Sequence, residues 1–124
     1  GFGTFQGSVL AGAAWGSAEQ VMTLPMPPEE SYEHHFHKAA VQGSVNQFYL
    51  LLEDKAHTPL AQKMGHRAIG VVYDPHHEKR GNYVPTELSK RYDAFFFVDQ
   101  SHALKSLHIP FALGEFPETW PMGQ

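Results

Sequence analysis

The residues with the most chemical capacity are nine histidines, several set beside carboxylates. The densest group is Glu33-His34-His35-Phe36-His37. On a helix, His34 and His37 stand one turn apart, as do Glu33 and His37. A zinc hydrolase helix needs two histidines four apart with a glutamate after the first, and this segment lacks that pattern. A zinc site needs three or four converging ligands, so no metal site is assigned here. The second group is Asp74-Pro75-His76-His77-Glu78, a loop expected beyond the C-terminal end of a strand, where open α/β sheets hold ligands. Asn82 and Tyr83 add hydrogen-bonding groups that act without ionising, and Tyr73 stands at the root of the loop. Trp15, in a Gly-rich turn, is expected to face the same opening. Trp15, Tyr73, His76, Asn82 and Tyr83 are therefore the candidate substrate-binding residues. They are expected to act on binding rather than on the chemical step.

No catalytic residue is assigned. Ser8, Ser17, Ser44 and Ser89 are outside any Gly-x-Ser-x-Gly elbow. Gly1-x-Gly3 lacks the third glycine and the lysine of a phosphate-binding loop, and no cofactor is expected.

These groups must be positioned by elements that the apolar pattern outlines. Thr4 to Ala11 alternates as a strand. Val21 to Leu24 reads as a short extended piece, stopped by Pro25, Pro27 and Pro28. Ser31 is a helix N-cap, Glu33 suits the first turn, and Gly43 is the expected C-terminal cap. Gln47–Leu52, Ala68–Tyr73 and Ala94–Val98 read as buried strands. A short helix is expected from Pro59 to Met64, a polar loop from Asp74 to Pro85, and a last helical turn from Ser101 to Leu104. The proline-bearing tail, with Pro110, Pro117 and Pro121, is expected on the surface. The fold class is α/β, a partly parallel sheet flanked by helices on both faces. So few strands leave open edges, so the chain is read as an incomplete part of a larger domain. The opening Gly1-Phe2-Gly3-Thr4-Phe5 already reads as the edge of a strand, which points the same way.

Composition narrows the function classes. The 124 residues are 42% hydrophobic and 18% charged, within the globular range. A net charge of −4 and basic residues no denser than the pairs Lys79-Arg80, beside Glu78, and Lys90-Arg91 argue against nucleic acid. No apolar run reaches the length of a membrane span. The absence of cysteine rules out disulfide and thiol chemistry and fits a soluble protein of a reducing, cytoplasmic compartment.

The stretch His66-Arg67-Ala68-Ile69-Gly70-Val71-Val72-Tyr73-Asp74-Pro75 resembles the C-terminal region of the erythromycin esterase-like family. So do Asn82-Tyr83-Val84-Pro85-Thr86 and Arg91-Tyr92-Asp93-Ala94-Phe95-Phe96-Phe97-Val98-Asp99. Gly1 to Gly7, Pro28 to Glu33 and Pro117-Glu118-Thr119-Trp120-Pro121 match in family order. The resemblance implies a metal-independent carboxylic-ester or macrolactone hydrolase in which a histidine activates water. The family's acting histidines and glutamates lie upstream, in a Gly-Glu-x-x-His type motif and later segments. Gly114-Glu115 is followed by Phe116 and Pro117, so no catalytic residue carries over. Residues 1–124 are then the C-terminal portion of such a domain. Its partners would be a small-molecule ester and the upstream part of the same polypeptide. Some family members are linked by name to succinoglycan biosynthesis, so membership leaves the substrate open. The alternatives are a non-catalytic binding or structural module of the same family, and a small His-rich metal protein.

Overall fold

The structure, a computed structural model, describes residues 1–70 and 72–104. The tail prolines and the Pro117–Pro121 segment lie outside the described residues.

Three strands form the main sheet: β1 (Phe2–Gln6), β7 (Ala94–Gln100) and β4 (Gln47–Leu51), in the order β1-β7-β4. β1 runs parallel to β7 and β4 antiparallel, so the sheet is partly parallel, as the apolar runs predict. The expected strand from Thr4 to Ala11 is instead two strands. Gly7 has φ +150°, and a Cβ there would sit 2.3 Å from the Ser101 carbonyl oxygen. Only glycine tolerates that turn and that approach. Past it, β2 (Ser8–Gly12) leaves the main sheet and pairs antiparallel with β3 (Glu19–Thr23).

Helix α1 (Tyr32–Gly43) starts where the cap predicts: Ser31 Oγ accepts from the His34 amide at 3.2 Å. Its left-handed closing residue is Ser44 (φ 54°) rather than Gly43. Phe36 and Ala40 turn toward the sheet and join Phe5, Leu52, Leu88, Phe95 and Phe97 in one buried cluster. Successive strand residues point to opposite faces, so Phe95 and Phe97 meet α1 while Phe96 points away. On that far face Phe2, Tyr49 and Leu51 stand exposed with Phe96. Among the described residues, helices therefore cover one face of this sheet and not both. β4, expected to be buried, is covered on one side only.

The next strand is β5 (Lys63–Arg67), paired antiparallel with β6 (Tyr83–Glu87). This corrects three expectations. The helix after Pro59 is a single 3-10 turn, Pro59–Ala61, and Lys63 already belongs to the strand. Ala68–Gly70 and Tyr73 lie in no strand, and Val72 makes one isolated bridge to Gly12. Ile69 and Tyr73 instead pack on Ala11, Met22 and Leu24, a second small core under the β2–β3 hairpin. The loop from Asp74 contains a 3-10 turn (Pro75–His77), helix α2 (Glu78–Gly81) and the start of β6. Helix α3 (Leu88–Arg91) then leads into β7. Ser101–Leu104 is not helical.

Candidate functional site

Residue 31 bridges residue 65 in parallel, which seats the first turn of α1 against β5. Glu33 thereby meets two consecutive β5 residues. Its Oε2 lies 2.6 Å from His66 Nδ1, and its Oε1 accepts from the Arg67 amide at 3.1 Å. Gly3 permits the approach, since a Cβ there would stand 3.3 Å from Glu33 Oε2 and 2.8 Å from the Phe95 ring. Glu33 and His66 are both buried. The other ring nitrogen, His66 Nε2, lies 3.1 Å from the Tyr92 hydroxyl, at the end of α3.

Arg67 points to the opposite face of β5. Its Nε donates to the Tyr83 hydroxyl at 3.1 Å and stands 2.8 Å from Glu78 Oε1 as an ion pair. Its terminal nitrogens donate to the Thr4 and Pro25 carbonyls, both at 2.8 Å. Glu78, at the first position of α2, also accepts from the Tyr73 hydroxyl at 2.6 Å and the Tyr83 hydroxyl at 3.2 Å. Arg67 and Glu78 thus each have an opposite charge and further hydrogen bonds, the condition for burying ions without prohibitive cost. Burial holds the Tyr73 and Tyr83 phenols well above their ordinary range, and the Glu78 carboxylate adds to the shift in both.

Glu33, His66, Arg67 and Tyr92 line one wall of a cleft of about 1020 Å³. Much of the remaining wall is apolar, with Phe2, Val9, Leu10, Ile69 and Val98. Thr4, Gln47, Gln100 and His102 add further polar side chains to the lining.

The five residues singled out from sequence lie elsewhere. None lines this cleft. Tyr73 and Tyr83 come together on Glu78, Asn82 Nδ2 donates to the Ala68 carbonyl at 2.9 Å, and His76 is exposed. Trp15 is exposed and lines a smaller hollow of about 130 Å³ with Gly12 and Val72. The Gly12–Val72 bridge thus brings the Trp15 turn beside the segment that leads into the Asp74 loop. His77 Nδ1 sits 2.6 Å from Asp74 Oδ2, and this hydrogen bond lowers the Asp74 carboxyl from its ordinary range.

The α1 histidines do not converge. His37 Nδ1 pairs with Asp99 Oδ1 at 2.8 Å while its ring stacks on Phe5 at 3.7 Å, and His35 Nδ1 meets the Ser31 carbonyl at 2.9 Å. Among the described residues no group of three or more His, Cys, Asp or Glu is placed to hold a metal ion. No described helix is long and apolar enough to cross a membrane.

The polar wall of the cleft was missed by sequence reasoning. Glu33 reads as a first-turn acid that suits the helix dipole, and His66 and Arg67 are given no site role. The available signal was two ionisable residues directly abutting apolar positions of the core.

The arrangement has relatives of known structure. A protein of Bacillus cereus superimposes with a TM-score of 0.64 at 18% identity, over 82% of this chain and 24% of that one. A second, described as a succinoglycan biosynthesis protein, gives 0.61 at 17% identity, over 82% and 23%. At these identities the likeness is one of fold, and the chain spans about a quarter of the length of either. The sequence profile of erythromycin esterase matches residues 1–101, and the chain belongs to the erythromycin esterase family.

Proposed function

We propose that these residues are the C-terminal portion of an esterase of this family that hydrolyses a carboxylic ester or macrolactone with histidine-activated water. The acting residues would lie in the remainder of the polypeptide, and this chain would supply sheet strands and one pocket wall. The observation that carries this reading is the cleft. Its volume of about 1020 Å³ and largely apolar exposed lining suit a bulky, weakly polar ester. Nothing in the described residues pairs a nucleophile with a free base. The network ends in a phenol, and Arg67 is committed to carbonyls and Glu78.

The test is hydrolysis of a macrolactone by the product of the complete reading frame, followed as gain of one water by mass. Turnover is expected from the complete protein, and none above buffer from residues 1–124 alone, even with an activated ester. Heat-sensitive hydrolysis by the 124-residue chain would place the chemistry here after all. Inertness of the complete protein toward lactones and simple esters would leave a binding module.

In the same reading, Trp15, Tyr73, His76, Asn82 and Tyr83 affect substrate binding from the mouth of the pocket. Trp15 and His76 are exposed outside the cleft and would reach the substrate only as the complete protein places it. Tyr73, Asn82 and Tyr83 would act by fixing the backbone behind them through Glu78 and the Ala68 carbonyl. Asn82→Ala in the complete enzyme is expected to raise KM while turnover stays within about tenfold, as for an interaction shared by ground and transition states. Loss of turnover by several orders of magnitude would put the loop in the chemical step.

A further inference from the structure

β1 and β7 run parallel, with Gln6 beside Gln100, so the two strands end together. Open α/β sheets hold ligands beyond the carboxyl ends of their strands. For this parallel pair that place is the segment 101–103, which lines the cleft. The segment is fixed on both sides of its middle residue. Before His102, the Ser101 amide donates to the Gln6 carbonyl at 2.9 Å, and the Ser101 and Thr4 hydroxyls share a hydrogen bond of 2.7 Å. After it, the Ala103 amide donates to Ser8 Oγ at 2.9 Å. Gly7 admits this docking, because a side chain there would collide with the Ser101 carbonyl.

Two of the described histidines line the cleft, His66 and His102. Both ring nitrogens of His66 are occupied, by Glu33 and Tyr92. His102 is exposed, and its ring bonds to no other described residue. A side chain held at its root and uncommitted at its tip, on a loop fixed by the ends of two strands, is placed to meet a ligand.

Ester hydrolysis needs two proton transfers. A base takes the proton of the attacking water, and in the reading proposed above that base lies in the remainder of the polypeptide. When the tetrahedral intermediate collapses, the carbon–oxygen bond to the alcohol breaks. Its electron pair goes to the departing oxygen, which must gain a proton. An alkoxide leaves poorly, so a positioned acid speeds this second transfer, and histidine is the side chain most often used.

We infer that His102 is that acid: a ring N–H gives its proton to the departing alcohol oxygen, and water re-protonates the ring. The inference rests on reading the cleft as an ester pocket, and adds to that reading a catalytic residue contributed by this chain. The ring is open to solvent and exchanges its protons between turnovers, so the role requires no fixed resting charge.

The experiment uses the complete protein and two esters of one carboxylic acid. One is an alkyl ester. The other is a nitrophenyl ester, whose phenolate departs without a proton. His102→Gln is expected to slow hydrolysis of the alkyl ester about 100- to 10,000-fold, and that of the nitrophenyl ester by less than about tenfold. Activity retained on the nitrophenyl ester also shows that the variant is folded. Equal losses on both esters would overturn the inference, because His102 would then serve the attack step or the fold. Full activity of the variant on both esters would overturn it as well. A wild type that hydrolyses neither ester would remove the esterase reading and the inference together, an outcome distinct from an active wild type whose variant shows no dependence on the leaving group.

Discussion

Arg67→Met is expected to destabilise the protein by about 3–5 kcal/mol, the cost of removing one partner of a buried ion pair. The guanidinium joins four separate pieces of chain. It reaches Thr4 in β1, Pro25 after the hairpin, Tyr83 in β6 and Glu78 in α2. Methionine fills much of the same volume, so little of the loss would come from a cavity. What it cannot do is neutralise Glu78, which is wholly buried, or satisfy the two carbonyls. Glu78 would retain only phenolic donors from Tyr73 and Tyr83. The control is the double variant Arg67→Met with Glu78→Gln, which removes the stranded charge and should recover part of the loss. Urea unfolding of the three proteins measures both terms. A single-variant loss below about 1 kcal/mol would show that the pair is solvated rather than buried. A double variant no better than the single would assign the cost to the carbonyls instead.

The same residue shows where sequence reading stops. Helix α1 was legible because its signals are local: a serine cap, an acid in the first turn, and Phe36 and Ala40 at helical spacing. β7 was legible because its run of aromatic residues has no competing period. β5, Lys63–Arg67, carries two buried ionisable residues, His66 and Arg67, to which sequence reasoning gave no site role. Their partners are Glu33, more than thirty positions earlier (33 from His66), and Glu78 in the loop that follows. Nothing local announces such pairings. The adjacent run from Ala68 to Tyr73 has every local mark of a strand, yet Ile69 and Tyr73 pack on the hairpin core. The strand expectation thus fell a few residues too late. Burial was over-read for a related reason. A continuous apolar run predicts two covered faces, while period-two alternation hides within it when both faces carry the same residue type.

Phe96 and Phe97 make that last point measurable. They are chemically identical neighbours on the central strand, and the fold separates them completely: Phe97 is 0% exposed and Phe96 44%. Phe97 packs on Phe36 and Phe48, with ring centroids 5.5 and 5.3 Å away. Phe97→Ala is therefore expected to cost about 3–5 kcal/mol, the transfer free energy of the ring plus the cavity it leaves. Against a domain stability of about 5–15 kcal/mol, that loss can unfold a chain whose sheet is covered on one face among the described residues. Phe96 lies between Phe2 and Tyr49 across the strands, on the uncovered face. In the 124-residue chain Phe96→Ala should cost less than about 1 kcal/mol, since only cross-strand contacts with these neighbours are lost. In the complete protein the outcome depends on what lies over this face. If the remainder of the polypeptide covers Phe96, Phe96→Ala should there approach the cost of Phe97→Ala. Equal, small effects of Phe96→Ala in the short and complete proteins would mean that this face stays open to solvent in both. Equal, large effects of the two substitutions in the short chain would mean that it already buries this face, against a second copy of itself. Sedimentation of the short chain over a range of concentrations would then show association that Phe96→Ala weakens and a folded Phe97→Leu does not.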